Sequence, residues 1–295
     1  MKTIGFFPGC SLHGTALEYE MSLHIVAREF GIELKEINDW NCCGATAAHS
    51  LNKLLSVSLP ARTLALAEQQ GFTEFMVPCA ACFSRMLFAW HEINHDTELK
   101  KKVSEIIELP LEGTAKPVTI LDFINEHIAG ELPEKMKKPF NKNVACYYGC
   151  LLVRPPKITN YSRYEDPMQM EEILGKIGAK PVDWAYKTEC CGAGLSVAMT
   201  NIVAKLSGKI VKDAERRDAD VIVVACPMCQ SNLDMRRGPI NELMNSNYKI
   251  PVYYITQAIG LSLGYSPKEL GIEKHFVKTD SVFYESMVKP VKEEV

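Results

Sequence analysis

Val221-Ile222-Val223-Val224-Ala225-Cys226-Pro227-Met228-Cys229 decides the fold, because a short apolar run flows directly into a Cys-X-X-Cys group. A bounded run of this length reads as a buried strand, with the cysteines opening the helix that follows. The same arrangement stands 147 residues earlier, at Glu74-Phe75-Met76-Val77-Pro78-Cys79-Ala80-Ala81-Cys82. Upstream of each lies a vicinal pair followed by glycine, Cys42-Cys43-Gly44 and Cys190-Cys191-Gly192. Further upstream Phe7-Pro8-Gly9-Cys10 answers Tyr147-Tyr148-Gly149-Cys150, and Asp39-Trp40 and Asp183-Trp184 precede the two pairs. The gaps are 31 and 35 residues in the first copy and 39 and 34 in the second. A repeat of this length reads as a duplicated domain, not a solenoid unit.

Local patterning agrees between the copies. Residues 3–7 and 143–148 read as strands, as do 32–37, 74–77, 180–184 and 220–225. Helical spacing marks 16–30, ended by Gly31, and 168–177, ended by Gly178. Longer helices are expected near 48–70, with a break at Pro60, and near 197–217. Pro117-Val118 and Pro251-Val252 follow the last cysteines at corresponding places. Alternating strands and helices predict an α/β fold: two tandem, pseudo-twofold related domains, each a small, mostly parallel sheet with flanking helices. The Pro/Lys-rich stretch 130–142 is the expected linker, giving domains 1–135 and 136–295.

The chain has 295 residues, 47% hydrophobic and 23% charged, with net charge −3. This is a globular composition that argues against a general nucleic-acid or anionic-membrane binder. The apolar runs are too short to span a bilayer. The start, MKTIGFFPGCSLHG, lacks a secretory h-region, so the expected location is the cytoplasm. Disorder is expected only in the Lys/Glu-rich tail.

Eleven cysteines are many for such a location, where thiols stay reduced, and an odd number leaves one outside any full disulfide framework. Every repeated group falls at the carboxyl end of an expected strand, where open α/β sheets bind ligands. The Cys-X-X-Cys groups open helices, whose N–H groups and dipole favour thiolate or an anionic cluster. Adjacent cysteines diverge and suit two different irons, and the following glycine would let backbone approach a bulky inorganic core. Five thiolates per copy exceed the four of tetrahedral zinc or an ordinary cubane. A thioredoxin-type dithiol and a structural zinc site remain alternatives. Cys146, outside the repeat, reads as a buried apolar residue.

The double signature, with FFPGC at residues 6–10, NCCGATAAH at 41–49 and PVYYITQAIGLSLG at 251–264, resembles the heterodisulfide reductase B-subunit family of duplicated CCG domains. The resemblance spans residues 3–265. It implies two non-cubane [4Fe-4S] clusters, one per domain. One would be held by Cys10, Cys42, Cys43, Cys79 and Cys82, and the other by Cys150, Cys190, Cys191, Cys226 and Cys229. The longer second spacing reads as a loop insertion containing Arg154-Pro155-Pro156. The implied reaction is reduction of the mixed disulfide of coenzyme M and coenzyme B, the last step of methane formation, with one electron from each cluster.

The chain lacks a ferredoxin-type cysteine run and a dinucleotide fingerprint, so no flavin or nicotinamide is expected on it. Partners must deliver electrons. The resemblance implies two further heterodisulfide reductase components, the ferredoxin-like C subunit and the flavin-bearing, electron-bifurcating A subunit, with a hydrogenase or formate dehydrogenase behind them. Basic groups to flank an anionic disulfide are sought at His13, Arg85, Arg154, Lys157, Lys187, Arg236 and Arg237, and His49 is a candidate proton donor. The plainer reading of each is an ordinary solvated or structural side chain. Competing functions are a CCG electron-transfer subunit of a succinate/fumarate, lactate or glycolate oxidoreductase, and a zinc-stapled scaffold.

Overall fold

The computed structural model describes residues 1–45 and 48–287. Its first half runs β1 (Lys2–Phe6), α1 (Leu17–Glu29), β2 (Ile32–Glu36), α2 (Lys53–Gln69), β3 (Glu74–Val77), α3 (Ala80–His95), α4 (Thr97–Ile107), β4 (Lys116–Thr119) and α5 (Ile120–His127). The second runs β5 (Asn143–Tyr147), α6 (Gln169–Gly175), β6 (Lys180–Pro181), α7 (Thr200–Arg216), β7 (Val221–Val224), α8 (Pro227–Asp234), α9 (Arg237–Met244), β8 (Val252–Tyr254) and α10 (Ile255–Ser262). Each half builds its own four-stranded parallel sheet, in the orders β2-β1-β3-β4 and β6-β5-β7-β8. The architecture is therefore α/β and duplicated. Parallel strands need helical crossovers that cover both faces, and β7 is accordingly buried at all four residues.

That strand order fixes where a ligand can sit. In each sheet the chain winds outward from the first strand to the second, then returns to start the third on the other side. The switch point therefore lies between β1 and β3, and between β5 and β7, and the crevice beyond such carboxyl ends is the usual binding place.

The halves pack through reciprocal contacts: α1 lies on α10, α6 on α5, and α3 on α8. Across this seam Ser22 Oγ and Thr256 Oγ1 are 2.7 Å apart, and Tyr265 donates to Glu29 at 2.7 Å. The stretch after α5 forms a short turn of helix, Leu132–Lys135, and the Lys137 and Lys138 N–H groups both donate to the Ser262 carbonyl.

Two expectations fail locally. The helix near 48–70 does not break at Pro60, which sits inside α2; it resets at Asn52, whose side chain accepts from the Leu54 and Leu55 N–H groups. A capped start outweighs the single hydrogen bond that an internal proline removes. The strand expected at 180–184 shrinks to Lys180–Pro181; Pro181 sits on the sheet's edge strand with its nitrogen facing outward, while the Lys180 and Val182 N–H groups donate to the Lys142 and Val144 carbonyls at 2.8 and 2.9 Å. The NCCGATAAH motif and the C-terminal tail lie partly outside the described residues, at 46–47 and 288–295.

Candidate metal centre

Strand ends and the loops that follow them carry all ten repeated cysteines. The turn after β1, Gly9–Leu12, holds Cys10, and the turn after β5 holds Cys150. Cys79 and Cys226 take the extended conformation before α3 and α8, and their carbonyls accept the first helical bonds, from Phe83 N at 2.8 Å and Gln230 N at 3.1 Å. Cys82 and Cys229 follow three residues later, which on a helix is the same face. All eleven cysteines are free thiols.

The vicinal loops are pinned from below. In the first, Asn41 donates to the Leu59 carbonyl at 2.9 Å, and Arg62 donates to the Asp39 carbonyl at 2.6 Å. In the second, Asn232 and Ser207 both donate to the Cys191 carbonyl, at 3.2 and 3.0 Å. Tyr147 donates to the Glu189 carbonyl at 2.7 Å. Gly44 and Gly192 have φ of +71° and +83°, a conformation glycine adopts without strain. This turn aims their N–H groups at Cys42 Sγ and Cys190 Sγ, at 3.5 and 3.3 Å. A Cβ there would meet Ala48 and Leu59, or Val203 and Leu206. The glycines thus serve the turn and its seat on the following helix, which corrects the expectation that they clear room for an inorganic core.

These placements bring sulfurs together within each half. Cys43 Sγ lies 3.0 Å from Cys82 Sγ, and Cys191 Sγ lies 3.8 Å from Cys229 Sγ. Between them stand Cys79 and Cys226, at the starts of α3 and α8, which pack on each other across the seam. These six are buried, whereas Cys10, Cys42 and Cys190 are exposed and Cys150 is half-buried. Each half therefore offers three enclosed sulfurs at the seam and two at its outer rim.

The electrostatics split the thiols: Cys43, Cys190, Cys191 and Cys226 are drawn toward thiolate, while Cys42, Cys79, Cys82, Cys150 and Cys229 are pushed the other way. The neighbouring Cys229 and Cys79 thiols, with the N–H groups of Cys229 and Ala80, hold Cys226 well below the ordinary thiol value. Cys79 is pushed well up. Cys43 is brought to about 7, chiefly by the hydrogen bond it shares with Cys82, and Cys190 to about 6, chiefly by Cys150. Crowded thiols can share protons only in this alternating way, and a bound metal would ionise them outright. Five convergent sulfurs per half, with amide donors turned toward them, fit an anionic polynuclear iron–sulfur group. They exceed what one zinc ion accepts.

The remaining sequence-expected residues scatter. His13 faces Glu20 and Glu36, at 3.7 and 3.4 Å, so its surroundings are acidic. His49 is exposed on the short helix Ala48–Leu51. Arg85 lies over the Phe88 ring, 5.8 Å from its centroid. Arg154 and Lys157 are exposed on the loop after Cys150, where Arg154 reaches Thr188 Oγ1 at 3.3 Å. Lys187 is turned inward: its ammonium, 6% exposed, lies 2.7 Å from Asp166 and 2.9 Å from Glu171. Its carbonyl accepts from the Tyr148 and Gly149 N–H groups, at 2.9 and 3.1 Å, tying that loop to Cys150. Arg236 braces the second vicinal loop, bonding Asn232 and the Ser196 carbonyl. Arg237 is buried against the Leu233 and Ile250 carbonyls, and burial lowers it to about 10. Cys146 lies fully enclosed on β5 beneath Trp184, which donates to its carbonyl at 3.1 Å.

Two seam features were not read from the sequence. Tyr19 and Tyr254 stack across the α1–α10 contact, with ring centroids 4.0 Å apart. The corresponding α5–α6 contact instead leaves a cavity of about 400 Å³, whose lining includes Phe83, Leu152, Thr119, Asp122, Gln169 and Glu172. Phe83 follows Cys82 directly and Leu152 stands two places after Cys150, a proximity that spacing alone hints at.

The chain is 31% identical to the 8-methylmenaquinol:fumarate reductase membrane anchor subunit of Wolinella succinogenes, over 94% of this chain and 97% of that one. It is 30% identical to the B subunit of the ferredoxin/F420H2-dependent CoB-CoM heterodisulfide reductase of Methanosarcina acetivorans, over 94% and 95%. A crystal structure of a hypothetical protein from Helicobacter pylori shares the fold at TM-score 0.76 and 15% identity; the match covers 95% of this chain and 52% of that one. The CCG cysteine-rich domain family matches twice, at residues 4–86 and 144–234. The chain therefore belongs to the CCG cysteine-rich domain family, with the domain present in duplicate and full-length relatives named as the B subunit of heterodisulfide reductases.

Proposed function

We propose that this chain is the disulfide-reducing subunit of a heterodisulfide reductase-type complex. The observation that carries this reading is that Cys79 and Cys226 open α3 and α8, the two helices that pack on each other across the seam, so both sulfur groups face one junction. Cys10, Cys42, Cys43, Cys79 and Cys82 would hold one non-cubane [4Fe-4S] cluster, and Cys150, Cys190, Cys191, Cys226 and Cys229 the other. Bound there, the two clusters would supply one electron each, so that R–S–S–R′, two electrons and two protons become two thiols. The protein's own part is to present sulfur from both halves at one place, with Gly44 and Gly192 fixing the vicinal loops. Phe83 and Leu152 line the cavity through which a small disulfide would approach.

Relatives named as subunits of heterodisulfide reductases support work within a multisubunit assembly, with the ferredoxin-like C and flavin-bearing A components as proposed partners. Among the described residues no helix is long and apolar enough to cross a membrane. The proposed substrate is the mixed disulfide of coenzymes M and B. A second reading, a CCG electron-transfer subunit of a fumarate reductase, is favoured by the 31% identical relative. The inward-facing Lys187 and Arg237 also favour it, because they leave fewer free cations for an anionic disulfide.

Iron, sulfide and zinc analysis after anaerobic purification tests the cluster reading: about eight irons per chain support it, and zinc with little iron refutes it. Reduction of the mixed disulfide by the assembled complex with a viologen donor then separates the two oxidoreductase readings.

A further inference from the structure

At the seam a buried hydroxyl has no hydrogen-bond partner among the described residues. Tyr19 on α1 is fully enclosed, its ring parallel to that of Tyr254 within 4°. The Tyr254 hydroxyl faces Glu18 and Gln230, at 3.4 and 3.5 Å. The Tyr19 hydroxyl has no hydrogen-bond partner among the described residues. After burial itself, the charges that bear on it are those of Cys226 and Cys79, one from each half. Native proteins rarely leave such a group unsatisfied, and an orphan of this kind calls for a missing partner. The stack holds the phenol in place beside the start of α8, because the Tyr254 hydroxyl faces Gln230, whose N–H bonds the Cys226 carbonyl.

We propose that Tyr19 is a positioning residue whose phenol donates a hydrogen bond to anionic sulfur at the junction of the two halves, and so tunes both redox centres together. This rests on the cluster-binding reading above. A phenol is a good donor and stays protonated near neutrality. Hydrogen bonds to cluster sulfur are one of the levers by which a protein sets reduction potential. They offset negative charge and thus favour the reduced form. Because the helices that Cys79 and Cys226 open pack on each other, one donor at their junction acts on both groups.

Tyr19→Phe keeps the ring and its stack and removes only the hydroxyl. The test is an anaerobic redox titration of the full chain followed by electron paramagnetic resonance, run beside Tyr254→Phe. The expected result is wild-type iron content in Tyr19→Phe with both centres harder to reduce. The expected change is a tenfold fall in the reduced-to-oxidised ratio at fixed ambient potential, about 59 mV for a one-electron couple. Tyr254→Phe should titrate with the wild type, because its hydroxyl already faces Glu18 and Gln230. Resonance Raman spectra in D₂O distinguish the acceptor: a shift in bridging-sulfide modes or in iron–thiolate modes, absent in Tyr19→Phe, identifies which sulfur receives the bond. Unchanged potentials in Tyr19→Phe, or equal shifts in both variants, overturn the assignment while the iron content keeps the cluster reading intact. A wild-type chain without iron refutes the cluster reading, and this proposal with it.

Discussion

Replacing Lys187 with methionine separates a structural cation from a substrate-binding one. Its ammonium is 6% exposed and pairs with Glu171, which is 5% exposed, at 2.9 Å. Burial alone would lower the lysine's pKa, but hydrogen bonds and charge from Asp166 and Glu171 outweigh it and hold the value above the ordinary one. Methionine fills similar space yet leaves Glu171 enclosed, with the Tyr148 hydroxyl as its remaining donor. Truncating one partner of a buried pair costs about 3–5 kcal/mol. For a domain of this size each kcal/mol is worth about 2–4 °C, so the melting temperature should fall by about 10 °C. The double variant Lys187→Met with Glu171→Gln should recover much of that loss, because no uncompensated charge remains. Circular dichroism melts of the four proteins give the coupling directly. A fall of less than about 2 °C for Lys187→Met, with disulfide binding weakened, would refute the structural assignment and return Lys187 to the substrate-facing set.

Cys42→Ala and Cys190→Ala should each abolish disulfide reduction with a reduced viologen while far-ultraviolet dichroism stays near wild type; wild-type turnover by either would contradict a two-centre mechanism. Gly192→Ala forces a φ of +83° on a residue with a Cβ and presses it against Val203 and Leu206 at 3.3 Å. Strain of about 1–2 kcal/mol should appear in urea melts, together with lower iron occupancy. His275 is buried and its pKa is lowered to about 4, first by burial. Because the unfolded chain binds its proton near 6.5, stability is retained above that pH and lost as pH falls from about 6.5 to 4, by about 3 kcal/mol in all. Urea midpoints at pH 7 and pH 4.5 measure this, and His275→Gln should flatten the difference.

Local pattern carried the fold far. The β7 run and its Cys-X-X-Cys, and the matching β3 run, state strand, turn and helix in nine residues each, and duplication carried that reading to the other half. Local pattern misled where two local signals competed, as at Pro60, where the Asn52 cap decided the helix start. The site divides the same way. Convergence of cysteines at strand ends follows from topology and was legible. The junction of the two groups was not, because it depends on how α3 and α8, opened by Cys79 and Cys226, pack across the seam. Lys187 looked like a surface cation three residues before Cys190, since nothing local reveals Asp166 and Glu171 closing over it. Tyr19 and Tyr254 stand 235 residues apart, and no spacing rule joins them.

The most direct examination is anomalous diffraction at the iron edge from crystals grown anaerobically. Two separate groups of iron peaks, one beside Cys43, Cys79 and Cys82 and the other beside Cys191, Cys226 and Cys229, are expected, close enough for one small disulfide to lie between them. A single metal peak per half with a zinc edge, or iron in one half alone, would contradict the paired redox site.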